Sequence, residues 1–149
     1  MVTDYELLLA AQKASKSAYC PYSHFSVGAA VLASRHQEDA PDAWQLFRGC
    51  NIENISYGLT VCAERVAVST AVAEGFRVIH RIAVWAQHTA HHKITPCGAC
   101  RQVLAEFMPA NAHIIMASAH NKPQVATMNE FLPEAFSTPT GATLGKQKP

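Results

Sequence analysis

Apolar residues recur along this chain in two rhythms, one of helical and one of strand period. Leu7, Leu8, Ala11, Ala14 and Ala18 fall at helical spacing behind Thr3, and Glu6 stands three residues after that threonine. This is the signature of a capping box and predicts a helix over 4–18. "PYSH" breaks it. The nearly continuous run "FSVGAAVLAS" (25–34) predicts a central strand, and the polar, proline-containing "RHQEDAPDA" (35–43) an exposed loop. "WQLFRGCNI" (44–52) predicts the returning strand of a hairpin. After the turn "NISYG", Thr60 is a candidate cap for a helix from Val61 to Glu74, with Gly75 as its stop.

The second half alternates strand and helix. "RIAVWAQ" (81–87) predicts a strand, "HTAHHKI" a loop, 97–108 a helix, "AHIIMAS" (112–118) a strand and "MNEFLPEAF" a short helical segment. A helix, a hairpin and repeated strand–helix units together imply a mixed sheet with helices on both faces, in one domain over 1–136. The tail 137–149 is rich in Gly, Pro, Thr and Lys without apolar period, and is expected to be disordered.

Composition narrows the function classes. Of 149 residues, 49% are hydrophobic and 15% charged, which suits one core-forming domain. The net charge of +1 and the lack of a basic run argue against nucleic acid as a ligand. No export signal or membrane-length apolar run is apparent, so the expected compartment is the cytoplasm. Five cysteines in such a chain point to thiols or metal rather than disulfides.

Three of these cysteines form a pattern. Thr95 and Pro96 suit the cap and first position of a helix, which puts Cys97 and Cys100 in its first turn on one face. Cys62 occupies the matching place behind Thr60. Thiols at helix starts ionise readily, and thiolates bind zinc. A lone cysteine is more often a small core residue, but three at helix starts, including C-x-x-C, favour metal. Closure of the site by a fourth protein ligand would make it structural. Cys50, within a predicted strand, reads as core; Cys20 is a further candidate; His88, His91 and His92, in a polar loop, read as surface. Glu64 favours chemistry instead: a carboxylate beside metal thiolates should have a raised pKa, suited to proton transfer. Arg65 can donate hydrogen bonds to thiolate sulfur. Taken alone, both residues would be an ordinary solvated helix start.

"CAE" followed by "PCGAC" resembles the zinc-dependent nucleoside and nucleobase deaminases. "YSHFSVGAAVL", "GCNIENISYGLTVCAERVAV" and "TPCGACRQVLAEF" together resemble the small homotetrameric cytidine deaminases over about residues 5–136. The resemblance implies a three-layer α/β/α sandwich with a mixed five-stranded sheet. It implies one Zn²⁺ per chain on Cys62, Cys97 and Cys100, with water as the fourth ligand. Glu64 would move protons while water replaces the amine at C4 of cytidine or 2′-deoxycytidine, releasing ammonia.

The Ala63 N–H would hold the base O2 and the Thr95 carbonyl the amino group. Asn51 and Glu53 would bind the ribose 3′-hydroxyl, and Phe25 would pack on the pyrimidine. Tyr57 and Phe136 would reach a neighbouring subunit's pocket, and Arg65 would support the thiolates. The sequence departs from the family at Ile55, in the long 35–43 loop and in the extended tail. Cys62, where polynucleotide deaminases commonly carry His, favours a free nucleoside. Two rivals stand beside this reading: the same chemistry on an aminopyrimidine nucleoside antibiotic, disfavoured by the "NIEN" pair, and a structural zinc module, disfavoured by three ligands and an adjacent glutamate.

Overall fold

Thr3 and Glu6 form the expected capping box. The Thr3 Oγ1 accepts from the Glu6 amide at 3.2 Å, and the Glu6 carboxylate accepts from the Thr3 amide at 2.8 Å. They open helix α1, Asp4–Ser15. It stops before residue 18 because the amides of Lys16, Ser17 and Ala18 reach back three residues rather than four, and Tyr19 then donates to the Asn51 carbonyl at 3.0 Å. A short parallel bridge between Tyr19 and Ile52 draws the chain away from the helix axis. The computed structural model describes residues 1–87 and 93–136. The expectations for His88, His91 and His92 and for the tail 137–149 lie outside the described residues.

Five strands follow: β1 Val27–Ser34, β2 Gln45–Cys50, β3 Val78–Ala86, β4 His113–Ser118 and β5 Gln124–Thr127. Their order across the sheet is β2-β1-β3-β4-β5. β3 and β4 run parallel, and every other neighbouring pair is antiparallel. Helix α2, Ala63–Ala73, connects β2 to β3. Helix α3, Gly98–Phe107, lies in the crossover that a parallel β3–β4 pair requires. A single turn, α4 (Met128–Phe131), follows β5 under a second capping box, Thr127 with Glu130.

Alternation along the strands builds two cores. Ala29, Val31, Ile82, Val84, Ile114 and Met116 face Ala67, Val68 and Leu104 of α2 and α3. Ala30, Leu32, Ala83, Trp85 and Ile115 face Leu7 and Ala11 of α1. The layers are therefore α/β/α, as expected. A fully buried leucine such as Leu7 or Leu104 contributes about 1.5–3 kcal/mol. Gly28 lets α1 lie directly on β1, since a Cβ there would sit 2.0 Å from the Ala11 carbonyl oxygen.

Several boundaries differ from the sequence reading. β1 starts at Val27 rather than Phe25, β2 ends at Cys50 rather than Ile52, and β3 starts at Val78 rather than Arg81. The segment predicted as helical to Phe136 ends at Phe131, because Leu132 leaves helical geometry (φ −141°, ψ 69°) just before Pro133. β5 was not expected from the local pattern. It is a four-residue edge strand with Gln124 and Val125 exposed, too short to show an alternation. Among the described residues no helix is long and apolar enough to cross a membrane.

Candidate active site and metal centre

Helices α2 and α3 start beside one another at one end of the sheet, and each starts on a cysteine. Cys62 is the N-cap of α2 (φ −69°, ψ 152°) and Cys97 that of α3 (φ −66°, ψ 166°). Neither helix has a side-chain cap bond. Thr60 and Thr95 are therefore not the caps their spacing suggested. The Thr60 hydroxyl instead accepts from the Asn54 amide at 3.3 Å, and the Thr95 hydroxyl from Arg101 at 3.4 Å. Pro96 precedes the cap instead of occupying the first helical position. The first-turn amides have no intrahelical partners, and the positive end of each helix dipole lies at its capping cysteine.

The Sγ atoms of Cys62, Cys97 and Cys100 all lie within 4.8 Å of one another. Those of Cys62 and Cys97 are 3.9 Å apart. Cys100 is fully buried while Cys97 is exposed, so the cluster is closed on the sheet side and open toward solvent. Among the described residues, no histidine, carboxylate or further cysteine joins the group. Cys50 donates to the Ser17 carbonyl at 3.4 Å, outside the cluster.

Three thiols this close cannot all keep ordinary acidity. Cys62 is held low, chiefly by the hydrogen bond from Cys100, with Arg65 and Cys97 adding to it; Cys100 is pushed up in return. The Arg65 Nη2 donates to the Cys62 sulfur at 3.7 Å and to the Thr60 carbonyl at 3.0 Å. Its guanidinium thus fixes the approach to α2 and stabilises a thiolate together. Soft sulfur donors at this spacing, three in number with one open side, fit zinc in its catalytic arrangement.

Glu64 lies in the first turn of α2 and is only 5% exposed. Its carboxyl is pushed up to about 7, first by burial, with the Cys62 thiolate adding to the rise and its own backbone amide opposing it. The direction agrees with the sequence argument, but the leading cause is loss of water rather than thiolate charge. Gly49 sets the depth of this helix: a Cβ at that position would lie 2.5 Å from the Ala63 carbonyl oxygen. Ala63 itself is fully buried.

Asn51 and Glu53, just beyond β2, both turn toward residues 22–27. Asn51 accepts from the Val27 amide at 2.9 Å and donates to the Phe25 carbonyl at 2.8 Å. Glu53 accepts from the amides of Tyr22 at 3.0 Å and Ser23 at 3.2 Å, and from the Ser23 hydroxyl. These bonds hold its carboxylate below the usual range, led by the Ser23 hydroxyl. Phe25 is 37% exposed, and Tyr57, whose ring stands 5.9 Å from that of Tyr22, is 74% exposed. Phe136 is 88% exposed. Sequence reasoning missed Ser23, although it stands in the quoted "YSHF". It also missed Arg101, which donates to the carbonyls of Pro96 at 2.8 Å and Phe131 at 3.1 Å and so ties α3 to α4.

Comparison with known proteins agrees with this geometry. Residues 1–117 match the family model for the cytidine and deoxycytidylate deaminase zinc-binding region. A cytidine deaminase of Halalkalibacterium halodurans is 44% identical over 88% of this chain and 92% of its own. A probable cytidine deaminase of Dictyostelium discoideum is 41% identical over 86% and 80%. The crystal structure of cytidine deaminase from Burkholderia pseudomallei superposes with a TM-score of 0.79 at 40% identity, covering 91% of this chain and 100% of that one. That from Mycobacterium tuberculosis gives 0.71 at 34% identity, covering 92% and 100%. With three thiols gathered at two helix starts and a buried glutamate beside them, the chain belongs to the zinc-binding cytidine and deoxycytidylate deaminase family.

Proposed function

We propose that this chain hydrolyses free cytidine and 2′-deoxycytidine to uridine and 2′-deoxyuridine with release of ammonia, as a step of pyrimidine salvage in the cytoplasm. The observation that carries the proposal is Glu64, buried and held near neutrality in the turn that follows Cys62. Cys62, Cys97 and Cys100 would hold one zinc ion per chain. Zinc, when bound, acidifies water and so supplies a nucleophile at neutral pH. A carboxyl poised near 7 both accepts and returns a proton at working pH. Glu64 takes one from the attacking water and delivers it to N3 of the pyrimidine as the oxygen bonds to C4. It then takes the second from that new hydroxyl and gives it to the amine, whose bond to C4 breaks as the C4 carbonyl forms. The Ala63 N–H, free at the helix start, holds O2, and the Thr95 carbonyl accepts from the amino group.

Asn51 and Glu53 would take the ribose 3′-hydroxyl, and Phe25 would pack on the base. Tyr57 and Phe136, both large and exposed, would complete a neighbouring subunit's pocket in a homotetramer. The test is ultraviolet-monitored conversion of cytidine, before and after zinc chelation, with zinc restored. Chelator-sensitive turnover of cytidine is expected. No turnover by the zinc-loaded protein, with the aminopyrimidine antibiotic deaminated instead, would move the reading to that substrate.

A further inference from the structure

Ser23 stands between two groups of the proposed nucleoside pocket and touches both. Its hydroxyl donates to Oε1 of Glu53 and accepts from the Phe25 amide at 3.1 Å. The other carboxylate oxygen, Oε2, already takes the amides of Tyr22 and Ser23. Oε1 therefore keeps lone-pair capacity for one more donor. On Asn51, the amide nitrogen gives one N–H to Phe25 and keeps the other. An acceptor on Glu53 and a donor on Asn51 are what a hydroxyl, which both donates and accepts, would fill.

The turn that carries Ser23 is itself constrained. His24 lies in the left-handed region at φ 55° and donates to the Cys20 carbonyl at 3.0 Å. A non-glycine residue stays there only when surrounding bonds hold it. We infer that Ser23 is a positioning residue that sets the rotamer of Glu53 and thereby the selectivity for a substrate carrying a 3′-hydroxyl. It acts through Glu53 rather than on the reacting atoms. Without the Ser23 hydroxyl, Oε1 loses its one fixed partner on the protein and the carboxylate can rotate about the bonds to Oε2.

The inference rests on the reading of Asn51 and Glu53 as the sugar-binding pair, and the experiment separates the two. kcat and KM are measured for cytidine and 3′-deoxycytidine on the zinc-loaded wild type, Ser23→Ala and Ser23→Thr, with zinc content and thermal midpoint alongside. Ser23 is exposed, so removing its hydroxyl leaves the core untouched. The expected result is a wild type that strongly prefers cytidine and a Ser23→Ala variant whose preference falls by roughly tenfold or more, mainly through the KM for cytidine. Zinc content should hold, and Ser23→Thr should restore the preference. A discriminating wild type whose preference survives Ser23→Ala, or an equal fall on both substrates, overturns the role of Ser23. A wild type that treats both substrates alike overturns the sugar-binding reading first, and this inference with it.

Discussion

Gly49 of β2 lies against Ala67 of α2 so closely that a Cβ on the glycine would stand 2.3 Å from the Ala67 amide nitrogen. The contact is backbone on backbone, so no side chain can swing aside to relieve it. Gly49→Ala must push α2 off the sheet, and α2 carries Cys62 and Glu64 at its start. The expected cost is about 1–3 kcal/mol, read by chemical denaturation, with zinc affinity falling in parallel. An unchanged midpoint and unchanged metal content would contradict this account.

Glu64→Gln should keep the fold and the zinc while losing turnover by about 10²–10⁴-fold. The amide has the shape of the carboxyl but cannot carry a proton. More than a tenth of wild-type activity remaining would assign proton transfer elsewhere.

Phe136→Ala and Tyr57→Ala should each lower kcat/KM for cytidine without loosening the isolated fold, because both rings project from it. Sedimentation should show a tetramer for the wild type. A fully active monomer would contradict the shared-pocket reading.

Away from the site, His80 gives a pH test. Its ring stacks on Trp44 with centroids 3.7 Å apart, and its Nε2 lies 2.7 Å from the Ser34 hydroxyl. That hydroxyl donates to the His36 carbonyl at 2.6 Å, so it accepts from the imidazole. Burial pushes the His80 pKa down, while Asp39 raises it and Arg81 lowers it. A histidine depressed in the folded state binds fewer protons there than in the unfolded chain. Its contribution is fully present above the unfolded value of about 6.5 and is lost as pH falls through the folded one. Denaturation midpoints should therefore drop from pH 7.5 to 5.5 by less in His80→Phe, which keeps the stacking, than in wild type.

The parts legible in the sequence were those with a local signal. The Thr3–Glu6 box, the nearly continuous apolar runs of β1 and β4 and the Cys97–Cys100 spacing are short-range patterns with short-range causes. Capping by Cys62 and Cys97 was not legible, because each follows a threonine that is a better cap by propensity. Bonds to Asn54 and Arg101, each six residues away along the chain, take those threonines instead. Ser23 was invisible for a similar reason: its partner Glu53 is thirty residues away and reaches it only when Tyr19 bridges Ile52. The raised pKa of Glu64 was anticipated in direction, but its main cause, burial, depends on how deep Gly49 lets the helix sink.

The metal cluster is divided between two helix starts 35 residues apart in the chain, with all of β3 between them. In an unfolded chain only Cys97 and Cys100 are near enough to chelate an ion together. The third sulfur joins them through the folded arrangement that sets the starts of both helices side by side. An ion held by all three therefore acts as a clasp across the finished fold, tightening its hold on the native state far more than on the unfolded one. Stripping it should then loosen β3, which carries none of the ligands, as well as the two helix ends that do.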